Sequence, residues 1–164
     1  MEIKCLLSLL TPLYQEHQVV VKTQRKGCQK GGHYKIKTQG DLIVSKEIAI
    51  DTQDNQAGMI YTLIHETTHM YFNHPLDKSL TTAQKEVVAD QVAKHFIVKW
   101  DLIEQLKLSN VYNRLGLDTY SQTWLNNRQF SDKRSDMINQ QINQMIDVIN
   151  SFVKESNEDN QRCN

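Results

Sequence analysis

The sequence predicts a single α+β domain: a small twisted antiparallel sheet packed on one central helix, with further helices C-terminal to it. Three observations carry this. The front of the chain is β-prone and punctuated by glycines, residues 55–73 repeat apolar side chains at helical spacing, and the remainder reads as helical segments separated by short polar breaks. At 164 residues the chain can bury one core and needs only one. Residues 1–155 are read as that domain and 156–164 as a flexible C-terminal tail.

The elements follow in order. Leu6-Leu7-Ser8-Leu9-Leu10 is too short for a secretory apolar segment and reads as the buried face of a short helix. Val19-Val20-Val21 opens an extended stretch reaching about residue 26, and Gly27 and Gly31-Gly32 supply turn chemistry. Residues 33–37 return as a second strand. After the Gly40-Asp41 turn, residues 42–44 and 47–50 continue the extended pattern. Met59, Ile60, Leu63, Ile64, Thr67, Met70 and Tyr71 then form a broad stripe on a helix over 55–73. Pro75 ends that helix, because the residue before a proline is pushed out of the helical region. A second helix is expected over 81–100, with Val87, Val88, Val92, His95, Phe96 and Val98 facing inward. Residues 101–108 look helical, 116–118 turn, and 119–127 form a further short helix. Ser131 caps a long last helix on which Ile138, Ile142, Met145, Ile149 and Phe152 recur.

Composition narrows the function classes. Lys and Arg number 19, as do Asp and Glu, so no global field draws the chain to nucleic acid or an anionic membrane. The three cysteines, Cys5, Cys28 and Cys163, are scattered and odd in number. They make neither a disulfide framework nor a metal knuckle and fit a reducing cytoplasm. No apolar run approaches membrane-spanning length.

His65-Glu66-Thr67-Thr68-His69 carries the chemistry. Imidazoles four residues apart lie one above the other on a helix, so both can grip one metal ion while Glu66 reaches a water on it. Zinc in hydrolytic sites takes three protein ligands and keeps a fourth position for water, which Glu66 can deprotonate as general base. Some sites place a third His six residues after the second, preceded by a Gly; here those positions are Pro75 and Phe72. The other common solution is a Glu on the next helix, and Glu86 lies seventeen residues after His69. Asp90, one turn on, shares its face and can accept a hydrogen bond from the free ring nitrogen of a ligand His. Ala89 between them allows the helices to approach closely.

This pattern resembles the gluzincins. His74, with Glu86-x-x-Ala89-Asp90-x-x-Ala93, is similar to the small ImmA/IrrE-type metallopeptidases and to the zincin domain of ArdC-type antirestriction proteins. Gly116-Leu117-Asp118, residues 120–124 and the long terminal helix look more like the latter. The resemblance covers roughly residues 48–153. It implies a zincin-like fold, Zn2+ on His65, His69 and Glu86, and a cytoplasmic peptidase encoded by a mobile element or phage, or serving stress regulation. Its substrate would be a regulatory or defence protein. These families usually carry an apolar residue and Ala or Gly where this chain has Thr67-Thr68.

Two questions stay open at this level. A Tyr or His usually helps hold the tetrahedral intermediate. Tyr112, Tyr120 and His74 are available, and Tyr120 is preferred because it begins a segment after a turn. His74 either caps helix carbonyls or lines the cleft, His95 is a core or boundary residue, and His17 and His33 lie at the surface. Lys22, Arg25, Lys26, Lys30, Lys35 and Lys37 fall in a stretch without acidic residues. They raise the alternative of an antirestriction-type module that binds single-stranded DNA or a protein partner around a structural or vestigial zinc. Tyr34 alone is a poor stacking platform for that role.

Overall fold

A computed structural model describes residues 1–24, 31–114 and 133–162. The architecture is α+β. Helix α1 (Ile3–Glu16) leads into strands β1 (Val19–Gln24), β2 (Gly32–Gln39) and β3 (Leu42–Asp51). Helices α2 (Gln56–Tyr71), α3 (Thr82–Lys99), α4 (Ile103–Lys107), α5 (Asn110–Arg114) and α6 (Lys133–Arg162) follow. No helix among the described residues is long and apolar enough to cross a membrane. The predicted segment 119–127, with Tyr120, and the capping role of Ser131 lie outside the described residues.

The sheet is mixed, not antiparallel as the sequence suggests. Its order is β1-β3-β2, with β2 and β3 antiparallel and β1 parallel to β3. The reason lies in which strand can be covered. Ile48-Ala49-Ile50 of β3 is buried without interruption, so both sheet faces are covered there, as suits a central strand. β2 carries the exposed Lys35, Lys37, Thr38 and Gln39, which tolerate an edge. Gly40, at φ 60°, makes the tight turn that lets β2 fold back on β3. Side chains of Lys22, Lys35 and Lys37 share the solvent face of the sheet, where Lys22 pairs with Glu47 at 2.5 Å. Arg25, Lys26 and Lys30 lie outside the described residues.

The ligand-bearing helix α2 runs through the middle of the molecule. Asn55 caps it by accepting from the Gly58 N–H at 2.9 Å. Ile60, Leu63, Ile64 and Met70 are buried against Leu6 and Leu10 of α1, Ile48 and Ile50 of β3, and Phe96 and Ile97 of α3. The threonine pair is accommodated by hydrogen bonds. Thr67 donates to the Leu63 carbonyl at 2.6 Å and Thr68 to that of Ile64 at 2.8 Å. Because Thr67 is spent as a donor, Tyr14 of α1 donates to its oxygen, at 2.8 Å.

α2 ends in a turn the sequence reading misses. Phe72 is the last cap residue and Asn73 takes φ 52°, the left-handed position usually given to glycine. The His74 N–H then bonds back to the His69 carbonyl at 3.0 Å, and the Asn73 N–H to that of Met70 at 3.1 Å. α3 starts from a complete capping box between Thr81 and Gln84. Its buried stripe runs through Val88, Val92 and Phe96 and through Ala89, Ala93 and Ile97. The small alanines draw the covered face toward themselves, leaving Val98 on the opposite side of the helix, 47% exposed. His95, expected at the core or its boundary, is exposed for the same reason.

β2 reaches α2 closely only because residue 32 is glycine. A Cβ there would overlap Thr62 Cγ2 and the Ala49 carbonyl oxygen. Gly32→Ala is therefore expected to destabilise the fold by about 1–3 kcal/mol. Urea denaturation should show a lower midpoint at an unchanged slope.

Candidate metal centre

Three donor atoms from two helices converge at one end of the α2–α3 contact. Nε2 of His65 and Nε2 of His69 stand 3.0 Å apart. Glu86 of α3 faces both through its two carboxylate oxygens, with Oε2 at 3.4 Å from the first and Oε1 at 3.5 Å from the second, and one donor atom from each of the three residues lies within 4.8 Å of the others. His65, His69 and Glu86 could thus hold a metal ion. The spacing fits one: three N/O donors at about 2.0–2.1 Å from a tetrahedral ion would be separated by about 3.3 Å. The imidazole side chains are 13% and 12% exposed, and the Glu86 side chain 51%, so the triangle opens on its carboxylate side.

Each imidazole is held from behind. Nδ1 of His65 lies 2.9 Å from Asp90 Oδ1, at hydrogen-bonding distance although the ring N–H is not aligned on it. The same carboxylate oxygen accepts from the Tyr61 hydroxyl at 2.6 Å, and the Tyr61 ring stacks on His65 with centroids 6.0 Å apart. Asp90, which the sequence offers as acceptor for a ligand His, thus lies beside His65 without an aligned hydrogen bond to it. Tyr61 is one helical turn before His65, a signal that i,i+4 reasoning could have used. Behind His69 the partner is His74, with the two Nδ1 atoms 2.8 Å apart.

Charge follows from this packing. Burial alone would push the His65 imidazole down, but contacts with Asp90 and Glu86 outweigh it and raise its pKa to about 10. Close contacts with His65 and His69 hold the Glu86 carboxyl well below the usual carboxylate range, against the opposing effect of burial. Burial, reinforced by Asp90, keeps the Tyr61 phenol well above its ordinary value. Three carboxylates, Glu66, Glu86 and Asp90, gather around two imidazoles. A cluster of that composition attracts a cation.

The centre floors a cleft of about 380 Å³ that Glu66 also lines. β2 forms the opposite wall through Gly32, His33 and Tyr34. The chain matches no family model, no curated protein and no solved structure. Of the expected oxyanion-stabilising residues, His74 lines the cleft, Tyr112 is buried in the core, and Tyr120 is outside the described residues. His33, expected at the surface, is half-buried: its residue borders the cleft, while its ring lies on the sheet face of Lys35 with Nε2 3.9 Å from Glu47. Tyr34, weighed in the sequence only as a stacking platform, also lines the cleft; its hydroxyl is buried with no hydrogen-bond partner among the described residues, and burial pushes its pKa up to about 12.

Two substitutions check this arrangement. Glu86→Ala should lower bound divalent metal from one ion per chain toward none in equilibrium dialysis, with the circular dichroism spectrum unchanged. Tyr61→Phe should retain the ion but bind it roughly tenfold more weakly, since Asp90 loses its anchor.

Proposed function

We propose that this chain is a zinc-dependent metallopeptidase of gluzincin type. The observation that carries the reading is the triangle of His65, His69 and Glu86 opening into a cleft that the intervening Glu66 also lines. Two nitrogens and one carboxylate oxygen form a donor set that suits zinc. Three protein ligands with one open side match a catalytic centre, whereas structural zinc is enclosed by four. Zinc held there would supply Lewis acidity, making a water acidic near neutral pH and polarising a peptide carbonyl.

The chain's own groups would do the rest. Glu66 accepts the proton of the attacking water and returns it to the departing amine. Asp90 and Tyr61 keep the His65 ring in its ligating orientation. Among the described residues β2 pairs only with β3, so its other edge is free beside the cleft to hold an extended peptide through main-chain hydrogen bonds. That edge supports a polypeptide over a small-molecule substrate. The resemblance to ImmA/IrrE-type and ArdC-type proteins adds a zincin-like fold, a cytoplasmic setting and a regulatory or defence protein as substrate, by analogy of motif.

Glu66→Gln separates this reading from a binding module built around an inert ion. The variant should keep its zinc yet yield at least 100-fold fewer new N-termini than wild type from a proteome-derived peptide library, the scale expected for loss of a general base. Equal cleavage by both proteins would refute peptidase action at this centre.

A further inference from the structure

We propose that His74 and Gln141 are positioning residues for His69. They form a one-way hydrogen-bond relay that leaves the Nε2 lone pair of His69 free for the metal. The inference rests on the reading of His65, His69 and Glu86 as a metal centre and adds two residues to it.

The relay crosses three parts of the fold. His69 Nδ1 is 2.8 Å from His74 Nδ1, and His74 Nε2 is 3.2 Å from Oε1 of Gln141 on α6, 67 residues further along the chain. His74 is only 2% exposed. The helix-ending turn ties its N–H to the His69 carbonyl at 3.0 Å, and Lys85 of α3 donates to its carbonyl at 2.7 Å. Its ring stacks on Phe72, with centroids 5.6 Å apart and planes 20° from parallel. Backbone, ring face and both ring nitrogens are thus all fixed.

Hydrogen-bond valence then sets the direction. A neutral imidazole has one N–H and one lone pair. If Gln141 presents its oxygen, His74 must donate from Nε2 and accept at Nδ1. His69 must then donate from Nδ1, and its lone pair falls on Nε2. That is the atom 3.0 Å from His65 Nε2 and 3.5 Å from Glu86 Oε1. Turning the Gln141 amide over reverses every bond and puts a proton on His69 Nε2, where it would block the metal. Only one polarity of the chain is compatible with a loaded site. The two ligands are therefore set differently, His65 by an anion and His69 by a neutral relay.

The test compares zinc affinity, by competition with a chromophoric chelator, in Gln141→Ala, Gln141→Glu, His74→Phe and His74→Gln. Thermal unfolding of each metal-free protein runs alongside. Gln141→Ala should bind zinc about tenfold more weakly with the metal-free unfolding temperature little changed. Gln141→Glu should restore affinity, because a carboxylate oxygen accepts from the same N–H. His74→Phe should lose more than His74→Gln, whose amide can both donate and accept. Gln141→Ala and Gln141→Glu weakened alike, or affinity untouched in Gln141→Ala and His74→Phe, would overturn the relay while leaving the metal centre standing. A wild-type protein that takes up no zinc would overturn both.

Discussion

Glu86, Ala89, Asp90 and Ala93 share one face of α3, and that face lies against α2 where His65 and His69 emerge. Glu86 and Asp90 touch the two imidazoles directly, and both alanines are fully buried. Small side chains between two acidic ones let the helix axes come close enough for short contacts to form across the crossing. Without that approach the carboxylate and the imidazole pair could not share an ion. Much of the fold braces this crossing. Tyr14 pins α2 from the α1 side through Thr67, β2 is brought in at Gly32, and the buried residues of α6 cover the same core. Asp54, just before α2, accepts from the N–H groups of Asn110 and Val111 and so fastens α5 to the start of that helix.

Electrostatics gives the crossing its purpose. Carboxylates gathered beside half-buried imidazoles repel one another unless a positive charge lies between them. Without a metal, a proton on His65 serves, which is why its pKa is raised despite burial. A divalent ion meets the same need with directional bonds, and binding it displaces that proton. The capacity to hold a cation would thus belong to the whole arrangement and not to the histidine pair alone. The open side of the triangle and, among the described residues, the unpaired edge of β2 border the same cleft, and the proposed action on an extended chain rests on that pairing.

Much of this was legible in the residue pattern, because the helical repeat is local. Spacing of four places His65 with His69 and Glu86 with Asp90, and Asn55 and Thr81 mark the starts of their helices. What escaped was set by long-range partners. The parallel pairing of β1 follows from β3 claiming the middle of the sheet, a competition among three strands that no single segment reveals. The threonine pair looks foreign to a buried helix until Tyr14, 53 residues earlier, supplies its hydrogen bond. His74 lines the cleft, as one of its two readings from the sequence has it, but its contact with His69 depends on the left-handed turn at Asn73; an asparagine before a His-Pro step is a usable signal, but a weak one. Gln141 lies beside the apolar stripe named for the last helix but carries no role in the sequence, and only the folded chain brings it to His74.

X-ray absorption at the zinc edge of the loaded protein tests the central claim most directly. The account predicts two imidazole nitrogens and at least one carboxylate oxygen at about 2.0–2.1 Å, with one ion per chain. Weak, sub-stoichiometric uptake, or a shell of oxygens without imidazole scattering, would contradict it.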